Sequence, residues 1–477
     1  MDDDNLYING VNGVTGEYLV PPLGYSQAAA IVKGEPLDPL LIEYLDKITE
    51  VFERPDLGFP LGVDPSDVNQ AGWAVVFHVD EDEAVQKALE PLVEHRRQQI
   101  GDESKIKVLK YRTGESRAKW LARYGTSAGT VDPTKVPYYL LFVGNPTLIP
   151  FSFIHLVDVE YAVGCLHFDT VLDYARYVAS LIEYETGQSV PNSREAVFFA
   201  PRHSFDKATQ LSADFLVNPL TDGVLPGQTG VAERWHFQTR KIWGEDATKG
   251  ALIETLTPDS SKKPPAFLFT ASHGMAFPNG DPDQIQKQGA LLCQDWPGIG
   301  SIDKKHYFSA EDIPASSRVH GMITFHFACY GAGTPSNDRF FHKPGESPPS
   351  IAPYPFIAAL PKALLTHPQG GALACIGHVE RAWGCSFKIR KVGPQILPFE
   401  NAIGRILLGE PIGHAMKDFN ERYASLSATL SSKLEEIGFG EEISDEDLAA
   451  DWIERNDAEG YIIIGDPAVR LRINSLE

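Results

Sequence analysis

Apolar residues along this chain fall into short unbroken runs set between longer amphipathic stretches. The runs Trp73–Phe77, Ile106–Tyr111 and Tyr138–Val143 are rich in aromatic and β-branched residues, and the third is stopped by Gly144-Asn145-Pro146. Runs of about five such residues suit inner strands of a parallel sheet covered on both faces. Between them, Glu83–Ile100 has the spacing of an amphipathic helix. A second helix is expected over Asp169–Glu185, with Leu172, Ala175, Val178, Ala179 and Ile182 on its inward face. After the polar stretch Gly187–Ser193 the alternation resumes. Strands are expected at Ala196–Ala200, Ala266–Thr270, Gly321–Phe327, Gly371–Ile376 and Tyr461–Ile464. Helices are expected over Phe205–Phe215, Asp246–Leu256, Pro355–His367, Ala402–Leu408 and Ile412–Ile437, with another begun by Ser444-Asp445-Glu446-Asp447.

Strands alternating with helices predict an α/β fold with mainly parallel sheets, here in two consecutive α/β/α subdomains. The expected division is a cap or extension over residues 1–70, one subdomain over 71–190 and another over 191–477. Within the cap, Asn9-Gly10 and Asn12-Gly13 suggest turns near a small hairpin, and Leu37–Phe52 has helical spacing. The Gly-, Asp- and Pro-rich stretch Met275–Pro314 suits a flexible loop.

Length and charge narrow the picture. With 477 residues, 43% of them hydrophobic, the chain can bury two cores. A net charge of −22 argues against a nucleic-acid or anionic-membrane surface and permits attraction of basic peptides. Five cysteines, spread from Cys165 to Cys385, form neither a disulfide framework nor a CxxC metal site, which points to a reducing compartment. The start Met1-Asp2-Asp3-Asp4 lacks the basic and apolar regions of a secretory signal, and no apolar run is long enough to span a bilayer. A cytoplasmic protein without nucleic-acid or membrane partners is therefore expected. No Walker-type phosphate loop is present, and no cofactor is expected.

The candidate chemistry lies at two strand ends. Ala266–Thr270 runs into Ala271-Ser272-His273-Gly274, and Gly321–Phe327 runs into Ala328-Cys329-Tyr330-Gly331-Ala332-Gly333. Reactions in parallel sheets sit beyond the carboxyl ends of the strands. A cysteine attacks as thiolate and needs an exposed bend and a base such as imidazole. His273 and Cys329 meet those needs if their strands are neighbours, and the glycines around them free peptide N–H groups for an oxyanion. His326 is a competing base, but period-two alternation turns it to the strand face opposite Cys329, as a packed histidine.

An apolar strand ending in His-Gly, followed by an apolar strand ending in Ala-Cys, resembles the caspase-fold cysteine peptidases, among them caspases, gingipains, separase and the bacterial CHAT-domain proteases. The segment Leu140–Pro150, with Val163-Gly164-Cys165 and a helix ending Ile182-Glu183-Tyr184-Glu185, is similar to the first subdomain of gingipain-type C25 peptidases. Gly465-Asp466-Pro467 after the last strand is similar to the end of C25 and CHAT domains. The resemblance implies His273 as general base and Cys329 as nucleophile, with the N–H groups of Gly274 and Cys329 holding the oxyanion. It implies an acidic residue lining the pocket for the side chain before the cut bond, for which Asp158 is the best match and Glu160 the second. Glu380 and Trp383, after the strand Gly371–Ile376, match the segment that lines that pocket, the indole suited to stacking.

Acids at Asp158 and Glu380 favour Arg or Lys before the cut bond, whereas Phe327 narrows the pocket toward smaller side chains. Taken as ordinary residues, Asp158 is a solvated loop carboxylate, Glu380 and Arg381 an exposed ion pair, and Asp338 the cap of a following helix. The expected function is a regulated cysteine endopeptidase acting on protein or peptide substrates, with an activating partner or self-cleavage as trigger. The alternatives are an idle caspase-like scaffold and a metal hydrolase using His273, His326 and His342, which no HExxH spacing supports.

Overall fold

The protein is described here from a computed structural model covering residues 59–477, except 61, 226, 299–300, 339–346 and 390–392, together with Asn5–Leu6 and Leu23–Gly24. Met1–Leu57 and Gly58–Glu477 form separate compact units. In the first, Asn5–Leu6 pairs antiparallel with Leu23–Gly24. The turns expected at Asn9-Gly10 and Asn12-Gly13 and the helix over Leu37–Phe52 lie outside the described residues.

The second unit is built on ten strands, labelled in chain order. They are β1 (Trp73–His78), β2 (Ile106–Tyr111), β3 (Tyr139–Val143), β4 (Ala162–Leu166), β5 (Ser193–Ala200), β6 (Gln238–Trp243), β7 (Pro265–Ala271), β8 (Ile323–Phe327), β9 (Ala374–His378) and β10 (Tyr461–Gly465). They form one sheet in the order β2-β1-β3-β4-β10-β9-β8-β7-β5-β6. Residues 71–190 supply one block of it and residues 191–477 the other. All neighbours are parallel except β9 and β10, which run antiparallel with His378 opposite Tyr461. The strand made last thus lies mid-sheet, oriented with the first block.

The inner strands are apolar because both of their faces are covered, and every residue of β1, β3, β7, β8, β9 and β10 is buried. Edge strands differ. β6 reads Gln-Thr-Arg-Lys-Ile-Trp, with charges that discourage pairing with another chain, so it has no apolar run to announce it. β4 is broken by Gly164, where a Cβ would sit 2.1 Å from the carbonyl oxygen of Gly465. Glycine there lets the end of β10 lie close against β4.

The helix Val171–Thr186, capped by Thr170, buries Tyr174, Tyr177, Val178, Leu181 and Tyr184, whereas Leu172, Ala175 and Ala179 are exposed. Its inward face is therefore the tyrosine stripe rather than the aliphatic one expected. The phenols can be buried because each is hydrogen-bonded: Tyr177 donates to Leu373 O at 2.9 Å, and the Tyr174 and Tyr184 hydroxyls accept from the N–H groups of Phe168 and Arg472.

A buried polar knot ties the blocks together. Arg96, on the helix Glu83–Ile100, donates to Asp466 Oδ2 through Nε at 3.0 Å and Nη2 at 2.8 Å, and to both oxygens of Glu185. Asp466 also accepts from Trp73 Nε1 and from Ala468 N. Burial would raise the Glu185 carboxyl, but Arg96 outweighs it and holds it down to about 2. The Gly465-Asp466-Pro467 turn is thus the anchor that joins the end of β10 to β1 and two helices.

Candidate active site

Four neighbouring strands of the second block, β9-β8-β7-β5, are parallel and release their loops at one sheet edge. The register sets Phe327 of β8 beside Ala271 of β7, so the residues two further along, Cys329 and His273, leave the sheet side by side. Both line one cavity. Gly274 packs so closely on this bend that a Cβ there would lie 1.8 Å from the Cys329 carbonyl oxygen, which is the physical reason for glycine after the histidine. Gly274 stands opposite Leu291 in an antiparallel bridge whose hydrogen bonds are made by its flanking residues, Met275 N to Ala290 O and Leu292 N to His273 O. In such a pair the peptide of Gly274 itself points out of the ladder.

The partner of Leu291 belongs to Met275–Pro314, the stretch expected to be a flexible loop. It folds into a hairpin, Leu291–Leu292 against Tyr307–Phe308, that packs beside His273.

Asp206 completes the group, and the sequence reading passed over it. The helix expected from Phe205 starts instead at Lys207, with Asp206 as its N-cap accepting from Ala208 N and Thr209 N. The same carboxylate reaches His273 Nε2 at 2.8 Å through Oδ2. Burial alone would raise the Asp206 carboxyl, but the His273 contact and the Thr209 donors outweigh it and hold it well below the ordinary carboxylate range. The available signal was topological: Asp206 lies on the loop after β5, and β5 is the strand next to β7. With Nε2 engaged by Asp206, Nδ1 is the ring nitrogen left for proton exchange.

Cys329 is half-buried, while Cys165, Cys293 and Cys375 are buried among the described side chains. Its thiol lies 3.7 Å from the Ala382 carbonyl. Burial pushes this thiol up, with the Arg381 charge pulling the other way. That direction favours the thiol over the thiolate and calls for a base. The turn after it is strained: Tyr330 and Glu380 hold φ of 59° and 77°, and the Tyr330 N–H donates to the Glu380 carbonyl at 2.6 Å.

The remaining predicted residues divide. Phe327 lines the same cavity as Cys329 and His273, its ring edge-on to Phe387 at 5.4 Å. Trp383, on the loop after β9, does not line this cavity although its neighbours Ala382 and Gly384 do, and its backbone N–H donates to Asp457 Oδ1 at 2.7 Å. Asp158 does not line this cavity, nor is it a solvated loop carboxylate. It ends the helix Phe151–Asp158, is buried, and accepts from Val163 N at 3.0 Å. Burial pushes its carboxyl up to about 8, against the opposing donors Val163 N and Asn420. Glu160 accepts from Gly129 N and pairs with Arg117.

Glu380 is buried, with 3% of its surface exposed, and lines a separate cavity of about 340 Å³ with Phe151, His155 and Glu459. It is no exposed pair with Arg381: that guanidinium binds Glu380 Oε1 at 2.9 Å and both oxygens of buried Asp338 at 2.8 and 3.0 Å. The helix that Asp338 was expected to cap lies outside the described residues. His326 is buried, with Nδ1 2.9 Å from Thr270 Oγ1, and burial pushes it down to about 4. His342 lies outside the described residues. Among those described, no group of three or more His, Cys, Asp or Glu could hold a metal ion, and no helix is long and apolar enough to cross a membrane.

Comparison with known proteins gives this geometry its context. Among solved structures, the chain is similar to one described as "Structure of Protease", at 10% identity and a TM-score of 0.47 over 89% of this chain and 81% of that one. It is also similar to the crystal structure of the Arg specific cysteine proteinase gingipain R, at 11% identity and a TM-score of 0.46 over 86% and 80%. A third is the complex of Porphyromonas gingivalis RgpB pro- and mature domains, at 11% identity and a TM-score of 0.44 over 84% and 80%. A search of curated proteins finds no match. The model of peptidase family C25 matches residues 75–472, and the chain belongs to that family of cysteine proteases.

Proposed function

We propose that this protein is a cysteine endopeptidase in which Cys329 is the nucleophile, His273 the base and Asp206 the residue that positions the base. The observation that carries the reading is the side-by-side exit of Cys329 and His273 from paired strands, with Asp206 on His273 Nε2. Burial favours the thiol form, so attack is coupled to proton transfer from Sγ to His273 Nδ1 as sulfur bonds to the peptide carbonyl carbon. The oxyanion that forms is held by the N–H groups of Gly274 and Cys329. Collapse returns the proton from Nδ1 to the leaving amine and breaks the C–N bond. Water, deprotonated by the same nitrogen, then releases the acyl group and restores the thiol. Asp206 keeps a proton on Nε2 throughout, so that Nδ1 alone exchanges.

The test is peptide cleavage by the intact protein beside Cys329→Ala, with iodoacetamide labelling mapped by mass spectrometry. The expected result is loss of cleavage in the variant at unchanged melting temperature, and labelling at Cys329 faster than a free thiol. A Cys329→Ala protein that still cuts would overturn the assignment. A thiol no faster than a free one, in a protein that cleaves nothing, would make the chain an idle scaffold.

A further inference from the structure

The cavity beside the sulfur has a chemistry of its own. It is small, about 90 Å³, and its walls are Leu211, Ser212, Phe327, Ala382 and Phe387. Among the described residues, no Asp, Glu, Lys or Arg lines it. The neighbouring acids are committed elsewhere. Asp206 is held by His273 and Thr209. Asp457 is fully buried and accepts from Trp383 N and the Ser386 hydroxyl. Asp158 and Glu380, the two acids that would welcome a cation, do not reach it.

We infer that this cavity receives the side chain preceding the cut bond and selects a small, uncharged one such as Ala or Val. The inference rests on the endopeptidase reading above and names its substrate class. A cation placed here would be stripped of water without an anionic partner, and a long side chain would collide with the Phe327–Phe387 wall. Selection by such a wall follows size, about tenfold or more per excess methylene group.

The experiment uses the full chain and a series of peptidyl acyloxymethyl ketones differing only at the residue next to the warhead: Ala, Val, Leu, Lys and Arg. The rate of covalent labelling at Cys329 is read by peptide mass spectrometry. Ala and Val probes are expected to label at least about tenfold faster than Lys or Arg probes. In Phe327→Ala, which enlarges the cavity, preference is expected to move toward Leu by about tenfold, a gain that misfolding cannot mimic. Fastest labelling by Lys or Arg would overturn the inference and leave the catalytic assignment standing. Unchanged size preference in a folded, reactive Phe327→Ala protein would also overturn it. No labelling of Cys329 by any probe, in a protein of native melting temperature, would overturn both.

Discussion

Asp206 serves two masters, its own helix and the His273 ring, and the two can be separated by chemistry. Asn in its place keeps an oxygen for the Thr209 N–H but loses the negative charge toward His273. A charge-assisted hydrogen bond contributes about 1.5–3 kcal/mol, so Asp206→Asn is expected to lower kcat roughly 10- to 100-fold, with KM and melting temperature little changed. A kcat within twofold of the parent would remove Asp206 from the mechanism. Asp158 gives a prediction of opposite kind. Its folded pKa is raised, to about 8, above an unfolded value near 4, so the native state binds more protons across that interval. Its contribution is therefore fully present below the unfolded value and is lost progressively as pH rises toward 8. Asp158→Asn should flatten the fall of melting temperature between pH 5 and 9 (about) and raise it at the alkaline end by roughly 2 °C or more. A slope equal to the parent's would refute this account.

At the scale of elements, Arg96 and Asp466 form a contact that is costly to break, since both are fully buried. Asp466→Ala leaves the guanidinium with Glu185 and Gln99 and removes the acceptor for Trp73 Nε1, and is expected to cost about 3 kcal/mol or more. Urea titration would show it as a lower midpoint, and adding Arg96→Met should recover part of the loss. How far such elements can be read beforehand depends on what packs against them. β1, β3, β7, β8, β9 and β10 are visible because two covered faces demand unbroken apolar runs, and those runs placed His273 and Cys329 at strand ends that the sheet pairing then sets side by side. β6 is invisible for the opposite reason, being an edge whose charges guard it. The helix Val171–Thr186 was legible as a helix but not by face, because hydropathy ranks Tyr below Leu while hydrogen-bonded phenols pack well inside. Asp206 escaped notice because its partner is 67 residues away along the chain, and Asp158 reads as solvated because its burial comes from distant packing that includes its hydrogen-bond partner Asn420.

For the molecule as a whole, the antiparallel seam at β9 and β10 turns the carboxyl ends of the two blocks toward opposite edges of the sheet. Only the block that carries Cys329 delivers its loops to the candidate site. Within the sheet the blocks meet at β10, which pairs with β4 on one side and β9 on the other. A chain ending at Glu459 would expose the backbone of both neighbours and lose the Asp466 knot. It is expected to be insoluble or protease-sensitive under conditions where the full chain is neither; limited proteolysis checks this, and a resistant core spanning both blocks would contradict it.

The placement of β10 also has a consequence for timing. During synthesis every other strand of the sheet, and all three of Asp206, His273 and Cys329, leave the ribosome before residue 461. On the proposed assignment, the sheet that carries these three side chains is therefore complete only once residues 461–465 have been made.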